Sequence, residues 1–320
     1  MQGFPTADVQ LKKMADELWG KVDGVNVKSA KVGKGIIISG MEMQEALDLI
    51  GVLPDCKLAK EDSTLFIHRR VTDGDIYFIS NQTNKTIAIQ PEFRTKGKSP
   101  ELWSSVNGTY RNLSAFKQNG NTTIVPLKLE AYESQFIVFR RNTGNAASFD
   151  LLDNFPKATT ILDLNENWTV TFDLTKRGPK NPVQFKNLTD WTLSDNDSIK
   201  YYSGTAVYTK TIKLNNIDPA KKLLLNLGNL TSMAKVKING RNIGGVWTAP
   251  WQVDISSAAK QGSNTIEISV VNNWMNRLIG DLKIPVSERP TWTPIIDYKA
   301  DSPLQASGLF GPVKIMTENN

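Results

Sequence analysis

Along the first fifty residues, apolar side chains recur at helical spacing. Val9, Leu11, Met14, Ala15, Leu18 and Trp19 follow a Thr6/Asp8 start, and Gly20 ends the run. That spacing predicts an amphipathic helix. Met43, Ala46, Leu47 and Ile50 form a second helical face, closed by Gly51. Between them, Lys34-Gly-Ile-Ile-Ile-Ser-Gly40 is a short apolar run bounded by glycines, which predicts one buried strand. So short a segment with a single strand makes a poor core. Residues 1–60 therefore read as a small α/β remnant of a domain whose larger part lies elsewhere.

From Ser63 to Arg141 the apolar period shortens to two, the mark of half-buried strands. Strands are predicted at Thr64–Arg69, Asp75–Ser80, Thr86–Phe93, Thr123–Leu129 and Gln135–Arg140, with turns at Asp73-Gly74 and Asn119-Gly120. Short strands with such turns predict a small β-sandwich over 61–148. The small, polar stretch Asn142–Ser148 reads as a linker. A larger sandwich is predicted over 149–320. There Ala234, Val236 and Ile238 alternate with Lys235 and Lys237 before Asn239-Gly240, a strong hairpin signal. Ile266, Ile268 and Val270 alternate with Glu267 and Ser269, while Tyr208, Ile212 and Leu214 share a parity. Pro303–Ile315 supplies a closing strand. The fold class is mainly β: two sandwiches preceded by the α/β remnant.

Composition narrows the chemistry. The net charge is +6, but Lys and Arg are scattered, with no run of four, so the footprint of a nucleic-acid binder is missing. No apolar stretch is long enough for a membrane span. The opening Met1-Gln-Gly-Phe-Pro lacks the basic and apolar regions of a signal peptide and reads like the middle of a chain. Cys56 is the only cysteine and His68 the only histidine, which excludes multi-Cys or multi-His zinc sites and any intrachain disulfide.

Candidate chemistry concentrates between Asn226 and Asp281. Trp247, Trp251 and Trp274 are three of eight tryptophans, and Asn276, Arg277 and Asp281 follow closely. Indole rings offer flat apolar platforms to sugar C–H faces, and amide, guanidinium and carboxylate groups can fix hydroxyls. The competing reading for each Trp is core packing. His68 could orient a hydroxyl or simply pack between domains. Arg69, Arg70, Arg140 and Arg141 could hold an acidic sugar, with a solvated face or ion pairs as the commoner role. Pro100-Glu-Leu-Trp103 reads as an aromatic–acid loop. Asp190-Trp-Thr-Leu-Ser-Asp-Asn-Asp197 could hold a structural calcium through oxygen ligands, against a plain surface turn.

Asn239-Gly240, Gly244-Gly245, Pro250-Trp251, Asp254-Ile255 and Gly262-Ser-Asn264 together resemble the sugar-binding, galactose-binding-like jelly roll of family 2 glycoside hydrolases. Ile67-His-Arg-Arg70 with Asp75-Ile-Tyr-Phe-Ile-Ser-Asn81, Pro100-Glu-Leu-Trp103, Asn276-Arg-Leu-Ile-Gly-Asp281 and Ser307-Gly-Leu-Phe-Gly-Pro312 resemble the C-terminal half of family 106 α-L-rhamnosidases. That resemblance implies an inverting carboxylate pair and a calcium ion held by an upstream catalytic barrel, at positions with no counterpart here, so no catalytic residue is carried over. It also implies a carbohydrate partner, an upstream catalytic domain in the same polypeptide, and a periplasmic, cell-surface or secreted location. The expected role is a non-catalytic accessory portion that scaffolds and rims a carbohydrate active site. A stand-alone carbohydrate-binding module and a structural or adhesion protein are the alternatives.

Overall fold

Apolar and polar residues alternate along the strands, and the sheets assemble by burying the apolar parity. The structure, a computed structural model, describes residues 3, 5–59, 63–142, 148–294 and 297–319. The chain forms two compact units, Met1–Lys57 and Leu58–Asn320, and is mainly β, with antiparallel pairing in the principal sheets.

The first unit has helix Ala7–Trp19, strands Ser29–Val32 and Gly35–Ile38, and helix Met43–Leu49. The strand expected at 34–40 is the second arm of a hairpin and is not buried, since Ile36 is 41% exposed. Gly33 at φ +59° turns the chain so that Ser29–Val32 can pair with it. Neither helix buries a residue. Val9, Leu11, Met14, Leu18 and Trp19 leave an apolar stripe exposed within this unit.

In the second unit, a five-stranded sheet runs in the order Thr64–Val71, Gly74–Asn81, Ser134–Asn142, Lys98–Ser104, Tyr110–Asn112. Tyr77 on this sheet meets Phe93 of the facing layer at 4.7 Å between centroids, and Phe93 meets Phe139 at 5.3 Å. Two readings are corrected here. Thr86–Phe93 and Thr123–Leu129 are each two short strands, Ile87–Ile89 with Glu92–Phe93 and Thr122–Ile124 with Leu127–Leu129. Pro91 and Pro126 interrupt them because proline donates no ladder hydrogen bond. The supposed loop Pro100–Trp103 lies in the Lys98–Ser104 strand, and Pro100 is tolerated beside a register shift between Phe139 and Arg141.

The rest of this unit is a sandwich. A six-stranded sheet runs Val183–Asn187, Glu166–Phe172, Thr205–Leu214, Gly262–Val271, Met233–Ile238, Arg241–Val246. A four-stranded sheet runs Thr159–Asp163, Lys314–Asn319, Lys221–Asn226, Gln252–Asp254. Ala234, Val236, Ile238, Ile266, Ile268, Val270, Tyr208, Ile212 and Leu214 all enter the shared core. Burial of a Val, Leu or Ile contributes about 1.5–3 kcal/mol, so the core draws mainly on this alternation. Asn239 and Gly240 both adopt positive φ, 54° and 77°, as a two-residue hairpin turn demands. The expected closing strand resolves into Gly308–Gly311 and Lys314–Asn319. Of the stretch read as a linker, residues 143–147 lie outside the described residues. Just beyond it, buried Asn154 accepts from Ala115 N at 2.9 Å and donates to Ala115 O at 2.7 Å and Pro126 O at 3.1 Å, tying the sandwich to the preceding sheets.

Candidate functional site

Strand register brings the candidate residues to one end of the six-stranded sheet. Val246 pairs with Ala234, and Met233 pairs with Val271. Trp247 and the Asn272–Trp274 segment therefore leave the sheet from the same end, two strands or about 10 Å apart. Trp247 is 55% exposed, Trp274 is 73% exposed, and Met233 between them is 48% exposed. Trp251 differs. It is half-buried against the sandwich core, so the core reading holds for that ring.

Beneath this rim lies a fully bonded amide frame. Asn272 accepts from Gly204 N at 3.0 Å and donates to Tyr202 O at 2.8 Å. Asn276 donates to Gln305 O at 2.6 Å and Ser307 Oγ at 3.0 Å, and accepts from Gln305 N at 2.8 Å. Asn273 Oδ1 accepts from Met275 N at 3.1 Å, a turn that leads into the Met275–Asp281 helix. Gly280 is needed on that helix, because a Cβ would stand 2.6 Å from the Tyr201 ring.

Arg277 donates from Nε to Asp281 Oδ1 at 2.8 Å, and Asp281 Oδ2 takes the Thr291 hydroxyl at 2.5 Å. Asn276 and Asp281, expected to face a ligand, are 1% and 2% exposed and spend their polar atoms internally. They are framing residues, buried because the helix turns this face inward. Arg277 instead reaches a hollow of about 190 Å³ with Arg177, Asp197, Tyr201 and Lys283. There Lys283 Nζ donates to the Tyr201 hydroxyl at 2.8 Å, and that bond raises the lysine pKa. Sequence reading missed Trp292, the most exposed tryptophan at 86%, held next to Thr291 and its bond to Asp281. Its signal was only a Trp in an irregular stretch.

The remaining candidates lie away from the rim. His68 belongs to the Thr64–Val71 strand; its Nε2 is 2.9 Å from Asp75 Oδ1 and its ring stacks on Tyr77 at 4.2 Å. Arg140 Nε donates to Glu101 Oε2 at 3.0 Å and Arg141 Nε lies 3.0 Å from Oε1, while Trp103 Nε1 donates to Oε2 at 2.8 Å. Both arginines thus serve ion pairs within one sheet. In the Asp190–Asp197 stretch, Asp190 Oδ1 accepts Thr192 N at 2.9 Å and Ser307 N at 3.0 Å, and Asn196 caps the Asp197–Lys200 turn. Trp191 of the same stretch is a core anchor whose Nε1 donates to the Tyr208 hydroxyl at 2.6 Å. Burial raises the Tyr208 pKa, so that phenol stays protonated. Among the described residues, no group of three or more His, Cys, Asp or Glu is placed to hold a metal ion. Nor is any helix among them long and apolar enough to cross a membrane.

The second unit thus combines a sandwich carrying two exposed tryptophans at one sheet end with a smaller pair of β layers, and its sequence and fold are similar to those of glycoside hydrolases. Residues 3–118 match the family 106 glycoside hydrolase model, described as alpha-L-rhamnosidase. Residues 169–289 match the glycosyl hydrolase 2 galactose-binding domain-like family. The structure of a rhamnosidase from Novosphingobium sp. PP1Y superposes with a TM-score of 0.86 at 32% identity, covering 97% of this chain and 29% of that one. A protein described as a putative beta-glucuronidase from Formosa agariphila is 36% identical over 297 residues, covering 79% of this chain and 24% of its own length. This chain is thus similar to family 106 glycoside hydrolases bearing a family 2-type sugar-binding domain, and it spans under a third of the length of either relative.

Proposed function

We propose that this chain is a non-catalytic accessory portion of a larger glycoside hydrolase, whose galactose-binding-like end rims a carbohydrate active site supplied by an upstream catalytic domain. The observation that carries this reading is the rim itself: Trp247 and Trp274 stand exposed at one sheet end, and the segment that follows Trp274 is anchored through Asn276 to Gln305. Exposed indoles offer flat apolar faces suited to stacking on sugar C–H faces.

Rhamnosides are the leading substrate class, following the structural relative, and a location in the periplasm, at the cell surface or outside the cell goes with it. The test is a chimera in which this chain replaces the matching segment of the Novosphingobium rhamnosidase. Trp247→Ala with Trp274→Ala is expected to raise KM severalfold with kcat nearly unchanged, the signature of lost uniform binding. An unchanged KM would overturn the rim assignment and favour a purely structural part.

A further inference from the structure

A second hollow, of about 410 Å³, opens where the Thr72–Asp73 turn faces the Arg94–Lys98 segment. Its wall carries four cationic side chains, Arg70, Arg94, Lys96 and Lys98, against one carboxylate, Asp75. That carboxylate is 7% exposed and turned to His68 Nε2 at 2.9 Å and Arg70 Nε at 3.5 Å, so Arg94, Lys96 and Lys98 outnumber it in the wall even with Arg70 set against it. Lys98 Nζ is steadied by the Asp73 carbonyl at 2.5 Å, which leaves its charge in the wall. Thr95 also lines the hollow. It is 4% exposed, and its hydroxyl makes no hydrogen bond among the described residues.

We infer that this hollow binds an anionic saccharide, a sugar ring bearing a carboxylate or sulfate group. Like charges gathered around one concavity repel, and an oxyanion among them relieves that repulsion while accepting from guanidinium and ammonium donors. The Thr95 hydroxyl adds a neutral partner able to face a ring hydroxyl. Size argues against a bare inorganic anion. The volume falls within the range of roughly 300–1,000 Å³ that accommodates small organic ligands, so a lone sulfate leaves most of it unfilled. The oxyanion half of this inference rests on the hollow alone, and the saccharide half rests on the glycan-related reading above.

Isothermal titration of the 320-residue chain tests it, with a uronic acid trisaccharide, its carboxyl-reduced neutral counterpart, a sulfated trisaccharide and inorganic sulfate as probes. A charged trisaccharide is expected to bind at least about tenfold more tightly than the neutral one, and to weaken as salt screens the wall. Whichever charged probe wins identifies the group. The Lys96→Gln variant changes an exposed side chain that takes no part in the Asp75 pair, so its melting temperature should hold while affinity for the charged sugar drops severalfold. Equal binding of charged and neutral sugars, inorganic sulfate binding as tightly as either charged sugar, no binding at all, or a Lys96→Gln variant of undiminished affinity would each overturn the inference. None of these outcomes touches the Trp247/Trp274 rim, so the two readings fail separately.

Discussion

Arg277 Nη2 stands 2.6 Å from Asp281 Oδ1, one helical turn away, and the two side chains are 15% and 3% exposed. A carboxylate so enclosed depends on its cation. Arg277→Ala should therefore destabilise the sandwich by about 2–4 kcal/mol through the unpaired Asp281. A fall in the urea midpoint with an unchanged slope checks it. A loss below about 0.5 kcal/mol would show that water reaches Asp281.

The exposed rim should behave in the opposite way. Trp247→Ala and Trp274→Ala remove rings that are 55% and 73% exposed, so each should shift stability by less than about 1 kcal/mol. Thermal melts of the two variants test this. A large loss would place those rings in structural packing and weaken their assignment to a ligand.

Asn154 makes three hydrogen bonds to the backbone at Ala115 and Pro126 from a fully buried position. Asn154→Ala strands those groups, at a cost of about 2–4 kcal/mol. Because the bonds join the two β portions of the second unit, calorimetry should show the single transition broadening or splitting. A sharp, unshifted transition would mean that other contacts carry the coupling.

Asp23 gives the first unit a defined acid response. The amides of Val27 and Val25, followed by the Asn26 side chain and amide, hold its carboxylate at a pKa of about 2, down from 3.8. The folded pKa is depressed, so the stabilisation is present above pH 3.8 and fades as pH falls through about 2. A carbon-13 titration of this carboxyl should show the low midpoint. In Asp23→Asn, protection of the Val25 and Val27 amides should no longer vary with pH across that window. An ordinary midpoint for Asp23 would remove the loop from this role.

Much of the architecture was legible in the sequence because alternation is a direct imprint of burial. Met233–Ile238 and Gly262–Val271 show it, and Asn239-Gly240 marked its turn. Strands crossed by proline were harder. Lys98–Ser104 lies inside a sheet despite Pro100, since a neighbouring register shift absorbs the missing donor. The candidate site was legible only in outline. Tryptophan and amide residues marked the segments that gather at one sheet end, but Asn276 and Asp281 looked available and are buried, because side-chain direction on a seven-residue helix depends on what it packs against. The basic hollow left no local trace. Arg70, Arg94, Lys96 and Lys98 converge only through strand pairing, and scattered cations along the chain gave no hint of it.

The central claim, that bond-breaking acids lie outside these 320 residues, is met most directly by assaying the purified chain at high concentration against aryl α-L-rhamnoside and aryl β-glucuronide. The account predicts no aglycone release above the buffer rate with either substrate. Turnover that tracks the folded protein and disappears in Asp75→Asn or Asp197→Asn would contradict it.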